Sequence, residues 1–450
     1  MATTMYTLTQ AAGTSTKKFT VSMWFKIGNI GADRGLWGCG TGTGDGVSMV
    51  RKSANEVALE TWDGSSNPKL ATSRKFIDPA AWYHLVFSID TTDADSAERL
   101  KIWINGVEET SFATDVTITL DSDIPGWSGS GDTMKIGNRV LDGDAFFEGE
   151  MSHVHVIDGT IYGASTFGET DSTSGIWKIK TSPTVTYGTN GGFYKFESGA
   201  LTTDSSGEGN TLTQVGSPTE TKDNPSNNFC TGNAGAQQIP TAMTYSNGNL
   251  KIASTAAYWN SAYATMGYGA GKWYWETKCA AVGTHTATGI TASNQTTGTN
   301  TAFCEATTGD NGWAYKNAAI KSWGGDSTVE RSYGDTYTTG DVIGCAHDNT
   351  NGVIWWSKNG VWQDSATIEE IAAGTTTNAA YSGMTTGLII LPAVQCYGTA
   401  GWEYNFGNGY FGTTAVTSAE ADDAGYGAME YDVPTGYYTL CSKNLATYGG

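Results

Sequence analysis

Basic residues are scarce in this chain. Lysine and arginine number 25 against 45 aspartates and glutamates, which gives a formal net charge of −20 at pH 7 over 450 residues. A protein of that charge repels phosphate backbones, and no cluster of lysine and arginine provides a local basic face. The composition therefore predicts that the protein does not bind nucleic acid.

Long apolar runs are also missing. The longest of them, around Leu388 to Val394, is far too short to cross a bilayer. The opening MATTMYTLTQ contains neither the basic region nor the apolar core of a secretory signal. We therefore expect no membrane insertion, and we expect the protein to be made and assembled in a cytoplasm.

Cysteine pairs and helical periodicity are two further absences. The seven cysteines are odd in number and scattered, without a C-x-x-C spacing, so buried free thiols are expected rather than disulfides or metal ligands. Apolar residues recur at helical spacing only in the short run Ser365 to Ala373. The chain is thus expected to consist almost entirely of strands and turns.

Turn chemistry is what the sequence has in quantity. It contains 59 glycines and only 9 prolines, as expected for many short strands joined by turns. Asn105-Gly106 and Asn359-Gly360 each lie between apolar runs, and Asn-Gly is a strong hairpin signal because both turn residues must reach positive φ. Apolar residues alternate with others from Phe19 to Phe25, which is typical of a half-buried strand. The pattern predicts two β-sandwiches in one chain.

Segments of the first half are similar to a known domain. They are SMWFK (Ser22 to Lys26), AWYHLVFSIDTT (Ala81 to Thr92), KIWINGV, FFEGEMSHVHVIDG (Phe146 to Gly159), FGET (Phe167 to Thr170) and GIWK (Gly175 to Lys178). This series resembles a laminin-G-like, concanavalin-type domain, and more narrowly the version found in structural proteins of tailed phages, often those of marine hosts. The segments YGTNGGFY, DSSGEGN and NPSNNF that follow also resemble that family.

The second half resembles a SPRY domain. The segments that carry the resemblance are GKWYWETK (Gly271 to Lys278), GDTYTTGDVIGCAHD (Gly334 to Asp348), VIWWSKNGVWQ (Val353 to Gln363) and LPAVQCYGTAGWEYNFG (Leu391 to Gly407). The closing PTGYYTLCSKNL is similar to the tail that follows such domains in the same phage proteins. The stretch Tyr410 to Asp432 is an insertion relative to that family, and its acidic residues Glu420, Asp422 and Asp423 are interpreted as part of a surface loop.

These observations define a fold class and a division into domains. We predict an all-β protein of two tandem antiparallel β-sandwiches, a concanavalin/laminin-G-like jelly roll and then a SPRY-like sandwich, with a short C-terminal extension. The predicted boundaries are 1–200 for the first sandwich, 201–235 for a linker, 236–409 for the second sandwich and 410–450 for the extension.

Catalytic motifs are not found. Concanavalin-type glycoside hydrolases carry E-x-D-x-x-E on one strand, but the three Glu-x-Asp pairs of this chain, Glu169-Asp171, Glu420-Asp422 and Glu430-Asp432, lack the third glutamate. There is no G-x-S-x-G, H-E-x-x-H or Walker loop, and the glycine-rich GTGTGDG from Gly40 reads as turn material. We therefore expect a protein that is not an enzyme.

Tryptophans in loop-like sequence are the candidate ligand-binding residues. Trp127, Trp313 and Trp323 lie among glycines and acidic residues, and an exposed indole can stack on the C–H face of a sugar. Packing beneath long loops is the alternative for all three.

Metal ligands are weakly represented. His153 and His155 share a spacing that suits a metal, but no third ligand lies at a sensible distance in sequence, so no metal site is predicted. Laminin-G-like domains sometimes hold calcium at a loop edge, for which the candidate oxygen ligands are Asp90, Asp93, Asp95, Asp142 and Asp144. A solvated acidic loop is the alternative, and no other cofactor is expected.

The resemblance implies a function as well as a fold. It points to a non-enzymatic surface protein of a phage virion, either a fibre protein, a tail protein or a head accessory protein. Such a protein attaches to host cell-surface glycans and contacts other virion proteins. Such a protein is expected as an oligomer or in many copies, because many weak sites gain avidity together. A structural capsid or tail decoration without sugar binding is the alternative, and a polysaccharide depolymerase is a weaker one. The SPRY-like domain could equally dock a protein partner.

Overall fold

The chain forms two compact units, Met1–Glu220 and Thr221–Gly450. The structure is a computed structural model and describes residues 4–28, 30–42, 44–63, 66–140, 145–236, 242–293, 302–304, 311–324 and 330–449. The regular secondary structure of both units is almost wholly β-strand and forms facing sheets, so the predicted fold class of two tandem β-sandwiches is confirmed. Residues 201–235, expected as a linker, fall on both sides of the boundary between the units.

The first unit is an antiparallel sandwich. Its strands are β1 Met5–Thr9, β2 Lys18–Ile27, β3 Arg34–Gly42, β4 Asp45–Arg51, β5 Val57–Trp62, β6 Ser66–Thr72, β7 Trp82–Asp90, β8 Leu100–Ile104, β9 Val107–Glu108, β10 Phe112–Asp115, β11 Thr133–Ile136, β12 Gly149–Asp158, β13 Gly168–Thr170, β14 Trp177–Ile179, β15 Gly192–Tyr194 and β16 Thr213–Val215. The larger sheet has the order β10-β6-β5-β4-β3-β11-β1-β16, the smaller one β15-β12-β2-β7-β8-β9, and β13 pairs with β14. A 3₁₀ turn covers Ala164–Thr166.

The central strand β2 shows how the sequence pattern becomes a core. Phe19, Val21, Met23 and Phe25 face the other sheet and are buried in the main core, as the alternation predicts. The residues between them are buried as well, because the chain after β12 folds back over the outer face of the smaller sheet. A second, smaller apolar cluster therefore lies outside the sandwich, where strand periodicity alone predicts solvent.

The second unit is also a sandwich. Its elements are β17 Met243–Ser246, β18 Lys251–Ser254, β19 Asn260–Tyr263, β20 Lys272–Ala281, β21 His285–Ala292, β22 Gly312–Lys316, β23 Ile320–Trp323, β24 Arg331–Ser332, β25 Val342–Asp348, β26 Val353–Lys358, β27 Val361–Trp362, α1 Ile368–Ala373, β28 Ile390–Tyr397, β29 Ala400–Asn405, β30 Tyr410–Phe411, β31 Thr414–Ala415, β32 Tyr438–Thr439 and α2 Ser442–Tyr448. One sheet has the order β17-β18-β29-β20-β25-β26-β27, the other β19-β28-β21-β22-β23-β24, and β30 pairs with β31. A 3₁₀ turn covers Gln363–Ser365.

Local sequence signals are matched by local structure. Asn105 and Gly106 have φ of 48° and 83°, and Asn359 and Gly360 have φ of 50° and 80°, so both predicted hairpin turns are confirmed. The expected helix begins at Ile368 with a capping box and ends at a left-handed glycine. All seven cysteines are buried and free, as expected. Within the described ranges, no helix is long and apolar enough to cross a membrane.

The C-terminal residues are packed into the second unit. Strand β32 pairs in parallel with the beginning of β20, where Trp273 and Tyr274 are the register partners of Tyr438 and Thr439. Met429 and Tyr437 lie on the outer face of the sheet, in an apolar cluster with Tyr274 and Trp355. Leu440 enters the main core between the sheets. The residues expected as an extension therefore complete the hydrophobic core of the unit.

Candidate binding site

The three tryptophans proposed from the sequence have different surroundings. Trp127 is 2% exposed and lies in the core of the first unit. Its ring centroid is 4.7 Å from that of Phe19 and 5.9 Å from that of Trp37. The loop that carries Trp127 turns the indole inward, so this ring offers no face to a ligand.

Trp313 and Trp323 form a pair at the side of the second unit. They are register partners on β22 and β23, and their rings are parallel within 4° with centroids 6.3 Å apart. Trp313 is 2% exposed and belongs to the core, whereas Trp323 is 36% exposed. The pair therefore continues the core to the surface, and Trp323 is the one of the three candidates whose ring reaches solvent.

A lysine on the same strand as Trp323 contacts two tyrosine rings. Lys321, on the same face of β23, holds its Nζ 5.0 Å from the ring of Tyr381 and 5.4 Å from that of Tyr333. The same Nζ donates a hydrogen bond to the carbonyl oxygen of Ala380, in a segment that bridges to β26 of the facing sheet. The side chain of Lys321 therefore connects its own sheet to a segment that is bridged to the facing sheet.

A second cation completes the arrangement. Arg331 on β24 is the register partner of Lys321, so both side chains project from one face of the sheet. Burial lowers the pKa of Lys321, and the positive charge of Arg331 acts in the same direction while Asp364 opposes it. We call Trp323, Lys321, Arg331, Tyr333 and Tyr381 the aromatic rim.

Sequence reasoning found only one member of the rim. Lys321 lies two residues before Trp323, so strand alternation was a usable signal for it. Tyr381 is brought in by the bridge at Ile354 and by the contact of Ala380 with Lys321, across 59 residues of sequence. No local pattern contains that information.

A serine and a histidine in hydrogen-bond contact do not form a catalytic pair. In the first unit, Ser22 Oγ lies 2.9 Å from His84 Nε2, and Trp177 Nε1 lies 3.0 Å from His84 Nδ1. An indole N–H can only donate, so Nδ1 is the acceptor and Nε2 carries the proton. His84 therefore donates to Ser22 and is not positioned to deprotonate it. Burial also lowers the pKa of His84 to about 3.

Carboxylates from two of the three Glu-x-Asp pairs make structural contacts. Glu169 and Asp171 both accept from Lys178, which lies opposite them on β14. Asp422 is buried and accepts the backbone N–H groups of Ala424 and Tyr426. Asp422 is therefore a buried structural residue, and its interpretation from the sequence as part of a surface loop is wrong.

Metal ligands are not assembled in the part of the chain that the structure describes. No group of three histidine, cysteine or acidic residues is placed to hold a metal there. His155 contacts the hydroxyl of Tyr187 through Nδ1, at 3.0 Å. Asp93 and Asp95 each accept a backbone N–H two residues ahead, which closes their loop. Asp90, a further calcium candidate, is bound to Lys18, with 2.9 Å between its Oδ2 and the lysine Nζ. Asp142 and Asp144, the remaining two, lie outside the described residues.

A shallow cavity of about 510 Å³ opens near the C-terminus. Its walls include Tyr426 on one side and Lys443, Asn444 and Tyr448 on the other. The carboxylate of Asp422 holds both walls, because it accepts from the backbone of Tyr426 and from the side-chain amide of Asn444. The cavity is therefore fixed by the fold.

Glu276 is the buried carboxyl group that fastens the C-terminal residues to the sheet. Its Oε1 accepts from the backbone N–H of Tyr431 at 2.9 Å and from the hydroxyl of Tyr274 at 3.1 Å. Its Oε2 accepts from the backbone N–H of Glu430 at 2.9 Å and from the amide of Asn405 at 3.1 Å. Complete burial raises the pKa of Glu276 from 4.5 to about 7, although all four donors act in the opposite direction.

This raised pKa predicts a pH-dependent stability of the second unit. Between about pH 4.5 and about pH 7 the folded state holds a proton on Glu276 that the unfolded state has released. The free energy of unfolding should therefore fall as the pH rises through that window, by on the order of 3 kcal/mol, and should level off above it. Denaturant titrations at several pH values measure this directly. In the Glu276→Gln variant this contribution should vanish, and an unchanged profile there would assign the dependence to other groups.

Each of the two sandwiches matches a known domain family. Residues 2–164 match the laminin G family model described as the concanavalin A-like lectin/glucanases superfamily, and residues 272–408 match the SPRY domain. The chain thus carries a concanavalin-like domain and a SPRY domain, as predicted, and domains of these types are compatible with binding carbohydrate or protein. No curated protein matches the chain.

Several solved structures are similar to parts of the chain. The SPRY domain of human HERC1 is 18% identical and covers 34% of this chain and 86% of its own, with a TM-score of 0.26. The heptameric SAP-like pentraxin from Limulus polyphemus is 17% identical over 36% of this chain and 72% of its own, with a TM-score of 0.27. Domain 4 of AbnA, a GH43 arabinanase from Geobacillus stearothermophilus in complex with arabinotriose, is 20% identical over 32% of this chain and 63% of its own, with a TM-score of 0.25.

Proposed function

We propose that this protein is a non-enzymatic component of a tailed-phage virion, which attaches to host surface glycans through the aromatic rim of its SPRY domain. The observation that carries the glycan part is the exposed indole of Trp323, backed by the parallel ring of buried Trp313. A rigid exposed indole suits the C–H face of a sugar ring, and the neighbouring Lys321 supplies hydrogen-bond donors. The virion part rests on the resemblance of the sequence segments to structural proteins of tailed phages.

Residue pairs of catalytic type in the described part of the chain make structural contacts, which favours a binding role. In the described residues, the Ser22 and His84 pair has the wrong hydrogen-bond direction for a nucleophile and base. The carboxylates Asp171 and Asp422 are held in structural contacts. A weak site on one copy would gain avidity on a particle that displays many copies, without any new contact.

The test is binding to an array of bacterial capsular and lipopolysaccharide glycans. Trp323→Ala should lower binding at least about tenfold, equivalent to about 1.4 kcal/mol, because the stacking face is lost while the core behind it remains. The matched control is Val361→Ala, which also removes an exposed apolar side chain from the second unit, at 68% exposure, and should bind as the parent does. Equal binding by parent and Trp323→Ala would overturn the site. If the parent bound none of the glycans, the alternative of a structural capsid or tail decoration without sugar binding would be favoured.

A further inference from the structure

We infer that the cavity of about 510 Å³ beside α2 is a second saccharide site, which holds one neutral sugar residue against the rings of Tyr426 and Tyr448. We call it the C-terminal cavity; it lies between the loop of Ala424 and Tyr426 and the helix α2. This second site shares no residue with the aromatic rim and does not depend on it. Its volume lies within the range of about 300 to 1,000 Å³ that is usual for small-molecule sites.

Both walls of the C-terminal cavity are held in place by the fold. The carboxylate of Asp422 accepts from the backbone N–H of Tyr426 at 3.0 Å and from the side-chain amide of Asn444 at 2.7 Å. The ring of Tyr448 is stacked on that of Tyr438, with centroids 3.6 Å apart and planes within 7° of parallel. Tyr438 therefore covers one face of the Tyr448 ring and leaves the other face for a ligand. A wall that is already ordered loses little conformational entropy on binding, which favours the capture of a small ligand.

The side chains around the cavity match the surface of a sugar. The two tyrosine rings offer apolar faces for the C–H groups of a pyranose. Lys443 holds its Nζ 5.3 Å from the ring centroid of Tyr426, and an ammonium group carries three donors. The hydroxyl of Thr447 donates to the carbonyl of Lys443 at 3.0 Å, so its oxygen can still accept from a ligand hydroxyl. Sugar hydroxyls both donate and accept, and the cavity provides a partner for each role beside the rings.

The charges around the cavity favour a neutral ligand over an anionic one. Of the described residues that line the cavity, Lys443 is the one that carries a charge. A hydrogen bond with Tyr448 raises the pKa of Tyr438, and the negative charges of Asp422 and Asp423 act in the same direction. Both carboxylates therefore lie within electrostatic reach of the ring stack and oppose the attraction of Lys443 for an anion. The net charge of −20 adds to this opposition, so a phosphate or a nucleotide is disfavoured.

The experiment is saturation-transfer-difference NMR of the full chain with a panel of methyl glycosides of neutral hexoses and N-acetylhexosamines. At least one glycoside should receive saturation at its ring C–H protons, both with the parent and with Trp323→Ala, in which the aromatic rim is impaired. In the Trp323→Ala chain, Tyr426→Ala and Lys443→Met should each weaken that binding at least about tenfold, because a stacking face or a donor is lost. Tyr426→Phe should bind nearly as well as the chain it is made from, since the ring remains. The matched control is Lys222→Met, which replaces another exposed lysine of the second unit that does not line the cavity.

The opposite results are equally clear. The inference is wrong if no glycoside of the panel binds, or if Tyr426→Ala and Lys443→Met bind as tightly as the Trp323→Ala chain itself. It is also wrong if a nucleoside monophosphate binds the parent more tightly than every glycoside. Loss of all glycoside binding in Trp323→Ala would assign the ligand to the aromatic rim and overturn the second site while the proposed function stands. The proposed function fails by a different result, which is equal binding of parent and Trp323→Ala on the glycan array.

Discussion

Deleting residues 416–450 should unfold the second unit. The deletion removes Met429 and Tyr437 from the cluster on the outer face of the sheet and Leu440 from the main core. Each buried apolar side chain contributes about 2 to 3 kcal/mol, so the three together approach the entire stability of a typical domain. Limited proteolysis with mass spectrometry should show new cleavage within residues 221–415 and an unchanged pattern within residues 1–220.

Two point variants control for the size of that deletion. Leu440→Ala should lower the free energy of unfolding by about 2 to 5 kcal/mol, because the residue is fully buried. Thr435→Ala, in the same segment but exposed, should change it by about 0.5 kcal/mol or less. If the shortened chain melts and resists protease as the parent does, the C-terminal residues are a separate appendage, as their sequence suggested.

The parts of the fold that were predictable are those with local causes. Asn359-Gly360 produces its turn because two adjacent residues adopt positive φ, and Thr367 with Glu370 starts α1 because a capping box spans four residues of chain. Every second residue from Phe19 to Phe25 faces the core because alternation fixes which face of a strand is apolar. The motif series then identified which sandwiches these elements build.

The role of the C-terminal residues was not predictable from local sequence. Glu276 accepts the backbone N–H groups of Glu430 and Tyr431 from 154 and 155 residues away, and backbone donors leave no mark in a sequence. Asp422 looked like a surface acid because acidic residues usually are, and its burial depends on the partners Thr439 and Asn444. Such contacts follow from the assembled sheet.

The candidate site was predictable in type and only partly in position. Glycine and acidic neighbours marked Trp127, Trp313 and Trp323 as loop residues, but two of them face a core. Flanking composition reports that the chain turns near a tryptophan and does not report the direction of the ring. Strand register reports that direction, and register depends on which strands pair. Arg331 joins Lys321 only through that pairing.

Trp127→Ala should lower the free energy of unfolding of the first unit by about 3 to 5 kcal/mol, because it leaves a large cavity between Phe19 and Trp37. Trp127→Phe should cost much less, since the indole Nε1 donates no hydrogen bond to any described residue and a ring of similar shape remains. Denaturant unfolding followed by tryptophan fluorescence gives both values.

The contrast between Trp127 and Trp323 is the decisive part of that measurement. Trp323→Ala should cost roughly 1 kcal/mol or less, because the ring is already partly in water, yet it should reduce glycan binding. Trp127→Phe should leave glycan binding unchanged, because this ring has no face to offer. If Trp127→Phe lost glycan binding while its stability was unchanged, Trp127 would also contribute to binding and the assignment to the core alone would be wrong. The two tryptophans are therefore separated by exposure: a buried ring acts on folding, and a ring stacked at the surface acts on recognition.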